Sequence, residues 1–253
     1  MPFDPDLTAC AALVERADPD RFRAAMAAPV AARRVLFPLY AMNVEVARAP
    51  WVTTEPMIAE MRLQWWRDGL AEIASGAPVR RHEVLTPLAG VLAGETAARL
   101  DGLIAARRWD IHSDPFEDAA HFRQYIDQTS GTLIWAAATT LGAAEDAALR
   151  DIGFASGLAN WFRAIPELEA RGRIPLVDGT AEGIRDLADQ GLAALARARG
   201  RIRGPARAAL LSTWQAWPIL RQARAAPGRV GAGALGTSEA RQRLGLIWQA
   251  VRL

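Results

Sequence analysis

The sequence contains no lysine: all 30 basic residues are arginine. A phosphate-cradling loop of the nucleotide-hydrolase kind needs a lysine and a preceding strand, so that class is excluded. Cysteine occurs once, at Cys10, which rules out an internal disulfide framework and a cysteine-based zinc site and fits a reducing compartment. The three histidines, His82, His112 and His121, lack metal-ligand spacing and stand among charged or turn-forming residues, so they read as surface or capping side chains. No apolar run is long enough for a signal peptide or a membrane span, and the opening MPFDPDLTACAALVERADPD carries acids instead. The expected location is therefore the cytoplasm. A formal net charge of +2, with the arginines scattered, gives no nucleic-acid footprint.

Alternating β-branched stretches bounded by hairpin turns are also missing, whereas apolar residues recur with helical period almost throughout. The 253 residues are expected to form one all-α domain over 1–253. After Thr53 and Thr54, Pro56 falls in a first turn and Met57, Ile58, Met61 and Trp65 share a face, so a helix should run to about Ser75, where Gly76 and Pro78 end it. Further helices are predicted over 30–48, 80–93, 96–108, 116–142, 145–171, 180–199, 205–225 and 238–251. Breaks are expected at Pro50, at the His112-Ser113-Asp114-Pro115 turn and at Gly200. The glycine-rich stretch 225–236 reads as a flexible loop.

Four separated blocks, in order, resemble the squalene and phytoene synthase family of head-to-head prenyl transferases. Arg33-Arg34 followed by VLFPLYAM is similar to that family's arginine and Leu-Tyr-Ala-Phe segment. MRLQWWRDGLAEIASGAP, from Met61 to Pro78, is similar to its tryptophan-centred helix. Trp109-Asp110-Ile111, with Phe122 to Gly142 carrying Tyr125 and Gly131, is similar to its Met-Asp-Leu and Tyr-Cys segments. In GFASGLANWFRAIPELEARGRIPLV, from Gly153 to Val177, Asn160, Arg163, Glu167, Arg171, Gly172 and Arg173 fall in register with the family pattern. The resemblance implies an isoprenoid-synthase-type helical bundle with a central cavity, and substrate-facing roles for Arg33, Tyr40, Asn160, Arg163, Glu167 and Arg173.

The departures bear on chemistry. A helix that holds Mg²⁺ for a prenyl diphosphate needs carboxylates one turn apart. Where the family carries its first acidic cluster, the aspartates become Ala47, Arg48 and Trp51, and Arg48 would repel a cation. In the second cluster they become Ala164 and Leu168, leaving Glu167, and Pro166 removes a backbone donor and crowds the carbonyl of Phe162. Expelling diphosphate from an allylic chain depends on metal to stabilise the leaving group. No catalytic and no metal-binding residue is therefore assigned, and Mg²⁺ enters only if the chain is a synthase with rearranged ligands.

Arg33, Arg163, Arg171 and Arg173 suit a metal-free anion site; the other reading pairs them with Glu167, Glu169 and neighbouring surface acids. The nine tryptophans suit core packing or a prenyl-sized cavity. Gly157, Ala164, Pro166, MRLQWW and Asn43-Val44-Glu45 resemble a branch of the family that contains a mitochondrial complex I assembly factor. That resemblance implies a non-catalytic protein acting in assembly of a membrane respiratory complex or binding an isoprenoid or other lipid. Its expected partners are such a ligand and a protein at the membrane, with a peripheral seat on the inner membrane. The alternative is an isoprenoid biosynthesis enzyme with altered metal ligands. A third reading, a peripheral membrane adaptor, rests on the arginines and apolar positions from Pro205 to Arg224.

Overall fold

The computed structural model describes residues 4–112 and 114–251, which are mostly helical with no strand among them. Residues 1–3 and 252–253 of the expected domain, and Ser113 of the expected turn, lie outside the described residues.

The chain opens with two helices that the periodicity did not call for, α1 (Pro5–Ala17) and α2 (Pro19–Ala27). Each begins with the same device. The Asp4 carboxylate accepts from the backbone of Asp6 and Leu7, the Asp18 carboxylate accepts from that of Arg21, and a proline with no N–H to satisfy follows each cap. Next come α3 (Val30–Arg48), a 3-10 turn over Ala49–Trp51, and α4 (Pro56–Ser75), which ends at Gly76 as expected. The predicted helix over 80–93 shrinks to α5 (Leu85–Ala89). Arg80 turns back to pair with Glu72, and the His82 ring accepts from the backbone of Val84 and Leu85, so the segment before α5 is spent on capping.

After α6 (Gly94–Ala106) and a 3-10 turn over Arg107–Ile111, the predicted single helix 116–142 divides. It forms α7 (Ala119–Ile126), a π turn over Asp127–Gly131, and α8 (Thr132–Thr140). The cause lies on the long helix α9 (Asp146–Ala170), whose Gly153 and Gly157 face this turn. A Cβ on Gly153 would stand 2.5 Å from the Gly131 Cα, and one on Gly157 would stand 2.6 Å from Ile126 Cγ2. The widened turn lets two backbones approach at van der Waals distance. Pro166 does not interrupt α9, which continues through it to Ala170.

Then follow α10 (Ala181–Ala198), the short α11 (Arg207–Leu210), α12 (Ala216–Ala225), the single turn α13 (Gly228–Gly231) and α14 (Glu239–Val251). The predicted helix over 205–225 is thus split. The Ser212 and Thr213 hydroxyls donate to the carbonyls of Ala209 and Leu210, competing with the helical pattern. The stretch 225–236, expected to be a flexible loop, contains the turn α13 and local contacts: Val230 is buried, the Arg229 guanidinium donates to the Ala234 carbonyl, and the Gly236 N–H donates to Gln222 Oε1 at 2.9 Å.

Apolar faces gather into two clusters. The larger draws on α1, α3, α4, α5, α6, α8 and α11; the other is built from α7, α9, α10 and α12. Cys10 is fully buried in the first, where desolvation, helped by Asp6, Glu83 and Asp4, pushes its thiol from 9.0 up to about 12. Because the folded state holds the proton more tightly than the unfolded chain, this contribution is complete below pH 9 and drains away as pH rises toward 12. Native protein at pH 8 is accordingly expected to leave Cys10 unlabelled by a thiol reagent, with full labelling in denaturant; rapid labelling of the native chain would contradict the burial.

Candidate functional site

The 3-10 turn after α6 has three residues per turn, so Arg107 and Asp110 stand above one another on one side. Arg107 Nη1 donates to Asp110 Oδ2 at 3.0 Å and to the Tyr125 hydroxyl at 2.8 Å, and that hydroxyl donates to Asp110 Oδ1 at 2.7 Å. Asp110 is 5% exposed and Tyr125, from α7, is 3% exposed. Burial drives the Tyr125 pKa well above the phenol range. Burial alone would pull Arg107 down, but the Tyr125 hydroxyl and the Asp110 carboxylate outweigh it and hold the guanidinium charged.

Arg173 arrives from the far end of α9. Gly172, at φ +76°, takes the left-handed conformation; its N–H reaches the Glu169 carbonyl and the Arg173 N–H reaches that of Leu168. This six-to-one closure ends α9 and turns the next side chain back into the protein. There the Arg173 guanidinium donates to the Asp110 carbonyl and lies over the rings of Trp51, at 5.1 Å, and Trp109, at 5.4 Å. Arg171 covers Trp51 as well, at 4.6 Å. Trp51 thereby joins the segment after α3 to the end of α9 through cation–π contacts.

An aromatic wall completes the site. Trp109 stacks on Phe116 with centroids 4.1 Å apart, and Phe116, Phe122 and Tyr125 each meet Trp161 edge-on or tilted at 5.4–5.9 Å. Trp161 Nε1 donates to the Pro175 carbonyl at 2.8 Å, holding the strap after α9 against it. Three N–H donors here are buried without a partner: Arg107 Nε, Trp109 Nε1 and Arg173 Nη1. An unmet buried donor costs about 1–3 kcal/mol, so three together mark a place for an acceptor, an anion or ordered water.

Of the six residues that the resemblance placed on the substrate, only Arg173 belongs to this cluster. Arg33 donates to the carbonyls of Met26 and Ala28, closing the end of α2. Tyr40 is buried, with the Arg21 guanidinium 5.8 Å from its ring. Asn160 is exposed, Arg163 bonds Asp20 of α2 at 2.8 Å, and Glu167 pairs with Arg171 at 2.7 Å. Arg171 and Arg173 share Trp51, whereas Arg33 and Arg163 are engaged elsewhere, so the four arginines considered for an anion site do not gather in one place. Glu45 is taken by Arg48 and Glu60 by Arg108, both at 2.8 Å. Among the described residues, no three His, Cys, Asp or Glu side chains are grouped to hold a metal ion. Sequence reasoning missed Arg107 and Asp110 as site residues, although Trp109-Asp110 and Tyr125 stood in one quoted block and Arg173 in another.

Comparison with known proteins bears on this arrangement. The chain is similar to the complex I assembly factor 6 homolog of Drosophila melanogaster, with 30% identity over 66% of this chain and 53% of that protein. It is also similar to complex I assembly factor 6 of Bos taurus and of Homo sapiens, at 25% and 23% identity over 65% of this chain and 51% of each. The chain thus spans about half the length of these relatives. Among solved structures it resembles a dehydrosqualene synthase in complex with ligand, with a TM-score of 0.75 and 16% identity over 98% of this chain and 96% of that one. It also resembles a squalene synthase from Alicyclobacillus acidocaldarius, with a TM-score of 0.69 and 18% identity over 87% and 94%. The helical architecture is that of the isoprenoid synthases. The squalene/phytoene synthase family model matches residues 14–249, and the chain belongs to that family.

Proposed function

We propose that this chain is a non-catalytic member of its family that serves assembly of a membrane respiratory complex or binds an isoprenoid or other lipid, seated at the inner membrane. The observation that carries the reading is how the two segments expected to face each other across a metal site are engaged. Glu45 and Glu167 are each tied to an arginine on their own helix or at its end, and Trp51 is clamped under Arg171 and Arg173. Arg48 and Trp51 stand where the resemblance aligns the family's oxygen ligands for Mg²⁺-diphosphate, which supports the reading. The likeness to complex I assembly factors supports the same direction.

Purified protein incubated with farnesyl or geranylgeranyl diphosphate and Mg²⁺ is expected to release no pyrophosphate above background. Turnover that falls on Glu167→Gln would sink the non-catalytic reading. Deleting the gene is expected to lower respiratory complex I while carotenoids and hopanoids stay unchanged. The second reading, an isoprenoid biosynthesis enzyme with altered metal ligands, is favoured by the three unmet donors around Trp109, which suit a bound anion. Pyrophosphate release decides between the two.

A further inference from the structure

The densest positive stretch of the chain, ARARGRIRGPAR from Ala196 to Arg207, holds five arginines and no acid. It shares no residue with the cluster around Asp110. Three of its arginines are engaged: Arg197 grips Asp151 in a two-pronged bond of 2.6 and 3.0 Å, Arg201 pairs with Glu145 at 3.3 Å, and Arg207 also has a partner. The side chains of Arg199 and Arg203 are exposed and make no ion pair among the described residues. Both line an open cleft of about 650 Å³, with Arg207 on the same rim and no carboxylate in its walls. The floor is apolar, with Leu195, Ile202, Leu210 and Leu211 among its residues.

Helix α14 borders this cleft through Trp248 and Gln249. Its inward anchor is the buried Leu246. The outward side carries Leu244, Ile247, Trp248 and Val251, all more than half exposed, at 66%, 58%, 57% and 82%. Their spacing of i, i+3, i+4 and i+7 puts them on one stripe. Arg199 and Arg203 on a rim without acids, an apolar floor and an adjoining apolar stripe that includes a tryptophan match the layering of an anionic bilayer surface.

We propose that this face docks on an anionic phospholipid bilayer, with a lipid phosphate held between Arg199 and Arg203, its chain entering over Ile202 and Leu211, and the α14 stripe at the boundary between headgroups and acyl chains. Guanidinium forks suit phosphate oxygens, and the charge complementarity of the rim selects an anionic membrane over a protein groove. The proposal holds whether or not the buried cluster turns over a substrate, so the pyrophosphate assay does not decide it.

The test is flotation of the full chain with vesicles of phosphatidylcholine alone or with about one third phosphatidylglycerol. Binding is expected only to the anionic vesicles and should weaken at high salt. The Arg199→Gln/Arg203→Gln pair should lower the partition coefficient about 30-fold, each arginine near an anionic surface counting for about fivefold. Both side chains are exposed and unpaired, so the double variant should melt as the parent does. Ile247→Ser should weaken binding without changing its dependence on anionic lipid. Equal binding to neutral vesicles, or undiminished binding by the arginine variant, would overturn the proposal. So would release by inorganic phosphate at matched ionic strength, which would make the site a free-phosphate site, or a lipid-free dimer lost on Ile247→Ser, which would make the stripe a contact between copies.

Discussion

Replacing Asp110 with alanine is expected to cost about 3 kcal/mol of folding stability, because it strands a largely buried guanidinium whose charge that buried carboxylate balances. Asp110 is 5% exposed and accepts from Arg107 and Tyr125 at once, while its own carbonyl takes the bond from Arg173. Removal leaves Arg107 with the Tyr125 hydroxyl alone, and that hydroxyl still accepts from Arg107 but loses the acceptor for its own proton. Asp110→Asn keeps a hydrogen-bonding shape without the charge and should fall between the parent and Asp110→Ala. The double variant Arg107→Met/Asp110→Ala is expected to recover much of the loss, since removing both ions also removes their desolvation cost. Urea denaturation followed by tryptophan fluorescence measures all four forms. A loss below about 1 kcal/mol for Asp110→Ala would mean that water reaches the pair and screens it.

The same cluster shows where reading the sequence succeeds and where it stops. The helix over 30–48 and the end of α4 at Ser75 follow from unbroken periodicity and from the proline and glycine that punctuate it. The α1 and α2 caps are equally local, with Asp-Pro at both starts. What no local pattern contains is the choice of partner. Arg163 reaches Asp20, 143 residues away, rather than Glu167 one turn on. Arg173 reaches the Asp110 carbonyl across 63 residues because Gly172 reverses the chain at the end of α9. The i, i+3 placement of Arg107 and Asp110 is visible in the sequence, but their union with Tyr125 depends on how α7 lies against the turn after α6. Familiar motif positions therefore directed attention to Arg33 and Asn160, which the fold uses at its surface, and away from Arg107.

Gly153→Ala is expected to destabilise the protein by about 2 kcal/mol, although alanine is the better helix former by about 1 kcal/mol. The reason is the neighbour: the added methyl would stand 2.5 Å from the Gly131 Cα and 3.4 Å from its carbonyl carbon. Both atoms are backbone, so no rotamer change relieves the clash; either α9 retreats or the π turn over Asp127–Gly131 is rebuilt. Because α9 also carries Trp161 and leads into Arg173, that retreat should loosen the aromatic wall and shift tryptophan emission in the native state. Gly102, in α6, is the matched control, since a Cβ there meets nothing within 4 Å. Gly102→Ala should therefore stabilise by about 0.5–1 kcal/mol through helix propensity alone. At about 2–4 °C per kcal/mol for a chain of this size, the two melting temperatures should separate by roughly 5–12 °C in opposite directions from the parent. If both variants rise together, the contact between Gly153 and Gly131 is too yielding to account for the π turn, and the division of the predicted helix 116–142 would need another cause.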